Sequence, residues 1–516
     1  LFQFAESLAV SFQLVINSFK TIHIRSIKDF YAKTCGKANE TKEIEKIGKE
    51  ILQKCGGLPL AIVVLGGLLS KKSAQEWRSV CFLYLGHFPE DYEIPVSRLV
   101  QLRVVEGFIP QNKEIMEDVA YYYLNELIRR SLIQKDKMRR ERILTCRVHD
   151  LLRNLAIEKV EELNLFHIYE VNKGSIYHSR TRRQAVYSGI ESYLQLQQSK
   201  VLRSLLFVGI NNENAREGLL SMCSSFRLLR VLNLSHLWLT TIPKEIGKLI
   251  HLKYLKLKLG GTTIEDFPVP PFILNFVNLQ TLFIQGFSRL PNETYKLKEL
   301  RHLIGNFEGY FWVDNLKNLQ TLKGIQAETW IKTNPKGLVN LRELHISSYG
   351  KAVNEFTFDS IAKLKSLQIL RVYISTSEIP SLKPLSDCPN LVELTLEGGT
   401  LNLKENMPAF LPNLEHLELY ISILEDDPML TLENLPNLRV LYLYPGVYCG
   451  RNLVCSKGGF PRLEILVLSG VTFKELKVAE GAMPELRSFL LAHFKIPERF
   501  KILPPPPKWE YKGDLL

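Results

Sequence analysis

The sequence predicts an α+β multidomain chain in which helical, winged-helix-like segments precede a leucine-rich-repeat solenoid, an α/β horseshoe. Three observations predict it. The 516 residues exceed one ordinary core, at roughly 150 residues per domain. Apolar side chains in the first 165 residues recur at helical spacing. The later part repeats one short apolar pattern at a narrow interval. Hydrophobic residues make up 46% and charged residues 23%, which excludes wholesale disorder. No apolar run reaches the roughly 18 residues that cross a bilayer; Leu58 to Leu69 stops at twelve and contains Pro59, Gly66 and Gly67. The chain opens on Leu1, which suggests a missing start. Leu8 to Ile16 is apolar but lacks the basic leader of a signal peptide. A soluble chain is expected.

In chain order, Ile44, Ile47, Ile51, Leu52 and Cys55 predict a first helix, ended by Gly56-Gly57. Pro59 suits the first turn of a second helix, Leu60 to Leu69, which is apolar all round and therefore expected to be buried. Ile115, Val119, Tyr123 and Leu127 share a helical face, and Arg142 to Arg147 reads as a short strand. Leu152, Leu155, Ala156, Val160 and Leu163 form a further amphipathic helix. Three helices with a strand predict a winged-helix segment over 81–165. The segment 166–200 reads as a basic linker.

Residues 201–500 carry the repeats. L-x-x-L-x-L, other apolar residues allowed, starts clearly at Leu229, Leu252, Leu279, Leu341, Leu367, Leu391, Leu414, Leu438 and Leu463, and more weakly at Leu202, Leu300, Leu319 and Leu486. The starts are 19 to 27 residues apart, the leucine-rich-repeat period. Each unit offers a short strand that cannot bury its apolar face alone, so neighbours must stack. Pro412-Asn413 and Pro436-Asn437 place a turn before the strand. Residues 501–516 read as an extended Pro-rich tail, with Pro504 to Pro507 at its centre.

The eight cysteines form no CxxC pair and no zinc-finger spacing, so reduced thiols and no metal site are expected. The net charge is +12, and two stretches hold +11 of it: Arg129–Arg147 has eight basic and two acidic residues, Val171–Arg203 six and one. They are expected to lie together at the junction near residue 165 and to clamp an acidic surface of the repeats. Neither alternates with aromatic residues, which argues against nucleic acid as partner. GxSxG, HExxH and local Cys/His signatures are absent, so no enzyme is expected. His251, His302, His345 and His416 are expected as exposed side chains of the solenoid.

Cys55 to Ala61 (CGGLPLA) resembles the GLPL motif of the NB-ARC domain. Cys81 to Asp91 (CFLYLGHFPED) resembles the segment that opens that domain's winged-helix part, and Val148-His149-Asp150 resembles its MHD motif with valine for methionine. Three motifs in order ahead of leucine-rich repeats resemble plant nucleotide-binding leucine-rich-repeat disease-resistance proteins of the coiled-coil class, over about residues 28 to 500. The resemblance implies that 1–80 is a partial NB-ARC helical (ARC1-like) segment and 81–165 an ARC2-like winged helix. It implies an intracellular, cytoplasmic immune receptor, with peripheral plasma-membrane association an option. Its repeats would sense a pathogen effector or guarded host protein and restrain an ADP/ATP-switched module. Carried over residue by residue, Pro59 would pack near the adenine and His149 would approach the β-phosphate. The sequence departs from the family in lacking G-x-x-x-x-G-K-[ST] and in placing Trp77 only four residues before Cys81. It resembles the carboxyl-terminal part of a receptor with an internal gap. ADP or ATP binding is therefore expected to be weak or absent, and oligomerisation to need the missing N-terminal parts. The other reading is a nucleotide-independent interaction module, a decoy or a ubiquitin-ligase substrate adaptor.

Partner binding is assigned to the concave face, because strand side chains alternate. Six places after the first leucine stand Tyr373, Glu397, Tyr420 and Tyr444, and two places earlier Arg371, Thr395, Glu418 and Tyr442. Tyrosine and arginine most often anchor interfaces, although tyrosine also simply suits strands. Earlier units carry Lys258 and Gln285 at the first register, so the aromatic cluster belongs to the later repeats.

Overall fold

The computed structural model describes residues 80–503 apart from short breaks, the longest at 172–180, 194–199, 209–222, 261–266 and 493–500. The expected helices before residue 80, Pro59, Arg140 and the Pro-rich tail lie outside the described residues. The chain divides into two compact units, Leu1–His236 and Leu237–Leu516.

In the first unit, α1 (Val80–Leu83) runs into a 3₁₀ turn, Tyr84–His87. Cys81, Phe82, Leu83, Tyr84, Leu85 and Phe88 are all buried, so the CFLYLGHF string serves as a core segment. Then come β1 (Ile94–Pro95), α2 (Val96–Val105), α3 (Met116–Arg129), β2 (Gln134–Lys135), the β3–β4 hairpin (Met138–Arg139, Arg142–Ile143), β5 (Thr145–Arg147) and α4 (Asp150–Glu162). Strand β5 pairs antiparallel with both β1 and β2, which makes the wing. Pro95 stays extended (φ −62°, ψ 123°) directly before α2, as its ring favours. Helix α4 buries Leu152, Ala156 and Val160 at i, i+4, i+8 spacing.

The segment 166–200 is not a linker. Strands β6 (His167–Tyr169) and β7 (Arg183–Val186) lie within it, and they continue in parallel into β8 (Ser204–Phe207) and β9 (Val231–Leu239). Their sequences, HIY and RQAV, lack the leucines that mark later units, and the ladder bonds they make are main-chain. The basic stretches are also answered differently from the expectation. Lys137 (2.6 Å) and Arg147 (2.9 Å) pair with Glu93, and Arg147 with Asp136. Arg183 pairs with Glu106 at 2.7 Å. Among the described residues these acids are those of the winged helix.

The second unit stacks β10 (Tyr254–Leu259), β11 (Phe267–Pro268), β12 (Thr281–Arg289), β13 (His302–Glu308), β14 (Thr321–Gln326), β15 (Glu343–Ala352), β16 (Ile369–Ser375), β17 (Glu393–Glu397), β18 (His416–Tyr420), β19 (Val440–Leu443), β21 (Ile465–Ser469) and β23 (Ser488–Ala492). Strands β20 (Asn452–Cys455), β22 (Glu475–Val478) and β24 (Lys501–Leu503) form a second parallel ribbon. The main ladder aligns the fourth residue of each unit: Leu255 pairs with Leu282, Leu282 with Leu303, and so through Leu344, Leu370, Leu394 and Leu417 to Leu441. All thirteen first leucines of the units are buried, the most open being Leu486 at 7%. Stacking turns each one-sided strand into a continuous core.

The turns before the strands are stapled by side chains. Asn340 Nδ2 donates to Lys317 O (2.8 Å), Asn390 to Lys365 O (2.8 Å), Asn413 to Pro389 O (2.9 Å) and Asn437 to Pro412 O (2.8 Å). Ser366 Oγ takes the same place, donating to Val339 O at 2.8 Å. Each rung satisfies a turn carbonyl that the strand ladder leaves open.

Candidate functional site

Three registers of side chains face the concave side of the second unit. The register nearest the strand starts holds Thr281, His302, Thr321, Glu393 and His416, all buried. Adjacent parallel strands are about 4.8 Å apart, so polar side chains converging there must bond one another or lose water without return. They do bond. His302 Nδ1 lies 3.2 Å from Thr321 Oγ1, and His416 Nε2 meets Glu418 Oε1. His302 and His416 are thus interior groups and not exposed solenoid histidines; His251 alone among the four is exposed.

The middle register carries Lys323, His345, Arg371, Thr395, Glu418 and Tyr442. Lys323 Nζ (2.8 Å) and His345 Nε2 (3.0 Å) converge on Glu343 Oε1. Burial alone would raise the Glu343 carboxyl, but the bond from His345 and the Lys323 charge outweigh it and hold it below the usual carboxylate range. Burial lowers His345 in turn, so that Lys323 is the cation of the cluster. Arg371 Nη2 is 3.6 Å from Glu393. Glu418, expected as an outward contact, is instead 6% exposed and accepts from Thr395 Oγ1 at 3.3 Å, so it braces neighbouring strands.

The outer register aligns Tyr373 with Glu397 and Glu397 with Tyr420. Tyr420 stacks on Tyr444 with ring centroids 4.0 Å apart and planes 10° from parallel; Tyr444 lies 6.0 Å from Tyr442, itself 5.5 Å from His416. Arg371, Tyr373, Tyr420, Tyr442 and Tyr444 are all half-buried, neither lost in the core nor free in solvent.

A groove of about 800 Å³ runs along this face from Phe283 to Glu397, with Ile421 and Ile423 on its rim. Its floor was not anticipated. The strand register shifts between Phe283 and Phe287, again between Ile304 and Phe307, and again between Lys323 and Ile325. Gly286 (φ +110°), Gly305 and Gly324 (φ +80°) stand at these bulges. A Cβ at Gly286 would collide with Leu259 O, and one at Gly324 with Gly305 O. Only glycine fits such a bulge, and three in succession remove the side chains that would fill the groove. The signal is in the sequence: the units starting at Leu300 and Leu319 follow the shortest spacings, 21 and 19 residues, each with a glycine inside the strand, five places after the first leucine.

In the first unit, His149 is half-buried and Asp150 exposed where β5 gives way to α4. His149 O accepts from Leu152 N and Arg153 N, both at 2.9 Å, which starts the helix. Among the described residues this is one side chain at a helix start, and Pro59 lies outside them. The FPED and VHD strings are instead wired together: Arg153 donates from Nε to Phe88 O (2.7 Å) and from Nη1 to Glu90 (3.4 Å). Tyr187 OH, beyond β7, donates to Gly86 O at 3.3 Å.

Residues 201–501 match the leucine-rich repeat region family, and residues 88–156 the disease resistance protein winged helix domain family. The chain is 37% identical over 489 residues to disease resistance protein RPP13 of Arabidopsis thaliana, covering 86% of this chain and 55% of that protein. It is 35% identical over 491 residues to the disease resistance RPP13-like protein 2 of the same plant, covering 86% and 56%. The chain therefore spans little more than half the length of these relatives. A solved leucine-rich-repeat protein of Leptospira interrogans overlaps 51% of this chain and 70% of its own at 20% identity, with a TM-score of 0.36. No helix among the described residues is long and apolar enough to cross a membrane.

Proposed function

The chain belongs to the plant disease-resistance proteins that join a winged-helix domain to leucine-rich repeats, and from that premise we propose that it is a cytoplasmic immune receptor, or a relative of one, whose repeats bind a pathogen effector or a guarded host protein. In this reading the repeats also restrain an ADP/ATP-switched NB-ARC module, and the chain is not an enzyme. Residues 1–516 on their own hold adenine nucleotide weakly or not at all, because they contain no G-x-x-x-x-G-K-[ST] and His149 has no phosphate cradle beside it among the described residues. The observation that carries the proposal is the half-buried row of Tyr373, Tyr420, Tyr442 and Tyr444 beside an open groove, ahead of which stands a winged helix of the disease-resistance type. Rigid aromatic side chains with a polar tip are the commonest anchors of protein interfaces.

The test is the triple variant Tyr373→Ser, Tyr420→Ser, Tyr444→Ser, measured against the protein that the intact chain captures from infected leaf tissue. Loss of about 3 kcal/mol, roughly a hundredfold in Kd, with an unchanged circular dichroism spectrum is expected. Unaltered binding overturns the docking surface. Recovery of ubiquitin-ligase scaffold subunits as the captured proteins would replace the receptor reading by the adaptor. Stoichiometric ADP in the purified chain would refute weak nucleotide binding.

A further inference from the structure

We propose that the concave face carries a guanidinium-binding pocket, built from Glu397 between Tyr373 and Tyr420, that takes an arginine side chain of the partner protein. This rests on the reading of that face as the partner-binding surface and specifies what the partner must present. Three observations carry it.

First, Glu397 has no ion-pair partner among the described residues, unlike Glu343 and Glu393 on the same face, which meet Lys323 and Arg371. Burial alone raises its carboxyl above the ordinary range, with no compensating charge. A partly desolvated carboxylate without a cation is held at a cost that an incoming cation relieves.

Second, the walls are aromatic. Tyr373 and Tyr420 stand in register on the strands to either side of Glu397, and Tyr420 is fixed by its 4.0 Å stack on Tyr444. A flat cation fits over such rings while forking onto the carboxylate, which suits a planar guanidinium better than a compact ammonium. The chain already uses the ring-over-cation contact on this face, with Lys256 4.4 Å over Phe283 and Lys258 3.8 Å over Trp238. There the rings hold the chain's own cations; beside Glu397 the chain's own cation, Arg371, bonds the Tyr373 hydroxyl and turns to Glu393, so the rings and the charge are present and Glu397 itself has no cation among the described residues.

Third, the approach is open. Glu397 lines the end of the groove and is followed by Gly398 and Gly399, which put no side chain over it.

The experiment selects a displayed random dodecapeptide library on the full chain. Peptides enriched several-fold in arginine are expected, and Glu397→Gln should abolish that enrichment while Glu485→Gln, at an exposed site, retains it. The best peptide, made with citrulline for arginine, should then bind the intact chain at least tenfold more weakly, and the Glu397→Gln chain with no such preference. Tyr373→Leu serves as a second variant with the charge intact, and should weaken the arginine peptide while leaving the citrulline peptide unchanged. Arginine enrichment that survives Glu397→Gln overturns the pocket, as does selection of acidic or purely apolar peptides. If those other peptides are lost in the triple tyrosine variant, the concave face still binds protein and only the pocket is wrong. If no peptide is recovered above background, or none responds to either variant, both the pocket and the docking surface fail.

Discussion

The two units use side-chain tethers in opposite ways. In the first, each tether occurs once: Arg153 to Phe88 O and Glu90, Arg183 to Glu106, Tyr187 to Gly86 O. In the second, one bond recurs from turn to turn through Asn340, Ser366, Asn390, Asn413 and Asn437. A lost unique tether leaves its acceptor without that donor, and the unit has no second copy of the bond. A lost rung leaves every other rung in place, since repeats contact only their neighbours. The winged-helix unit therefore concentrates its stability in a few residues, while the repeats spread theirs from turn to turn.

The largest effect should follow from Arg153→Met. Its side chain is 6% exposed and ties α4 to the FPED turn and to Tyr187. Removal leaves Phe88 O without its donor and should cost about 3 kcal/mol in urea unfolding of the full chain. A loss below about 1 kcal/mol would remove the contrast between the units.

Acid should act next, and through the first unit. His87 is fully buried, with Nδ1 3.2 Å from Tyr84 O and its ring 3.6 Å from that of Phe166. Burial, with the Arg183 charge assisting, lowers it to about 3. The unfolded chain takes up this proton near pH 6.5, whereas the folded chain resists it. The stability it supplies is complete above 6.5 and is lost as pH falls towards 3. Between pH 7 and pH 5 the loss should be about 2 kcal/mol, seen as a fall in the urea midpoint that His87→Phe abolishes. An equal fall in that variant would assign the acid sensitivity elsewhere, for instance to His345, which burial shifts in the same direction.

The contrast also governs what the sequence reveals. The repeated unit is legible because one leucine rule is applied thirteen times, and all thirteen starts are buried. The innermost concave register is not, because His302, Glu393 and His416 look like outward polar residues until curvature crowds them together. Strands β6 and β7 are hidden for the opposite reason: main-chain pairing to a neighbour recruits HIY and RQAV with no leucine pattern to announce them. The site was half visible. Tyrosine spacing gives Tyr373, Tyr420 and Tyr444, and short units with interior glycines mark the bulges, while the lack of a partner for Glu397 among the described residues depends on what the adjacent strands carry.

Arg103 sharpens the comparison from the other side, because it is a unique buried group that is poorly answered. It is fully buried in α2; Nη2 donates to Cys81 O at 2.8 Å, while Nε and Nη1 have no partner. Burial lowers its pKa, and its surroundings include the thiols of Cys81 and Cys146, the latter pushed up to about 12 by burial. Replacing an ill-paired buried cation by an apolar side chain of similar length often stabilises. Arg103→Met should raise stability by about 1–2 kcal/mol in the same urea titration. A loss would mean that the guanidinium organises this core.

The smallest effect tests the redundancy of the ladder. Asn413 Nδ2 donates to Pro389 O in an exposed turn, and Asn437 and Asn390 make the equivalent bonds one unit later and one unit earlier. Deleting one neutral hydrogen bond at a solvated turn leaves the carbonyl able to find water, so Asn413→Ala should cost about 1 kcal/mol or less. The loss should also stay local. Amide exchange should quicken in the turn and strand that begin at Asn413, and stay unchanged in those that begin at Asn340. Asn413→Ala combined with Asn340→Ala should give the sum of the two single losses, because the two rungs share no partner. A double loss well beyond that sum would show the rungs to be cooperative, and the stability of the repeats would then be as concentrated as that of the winged helix.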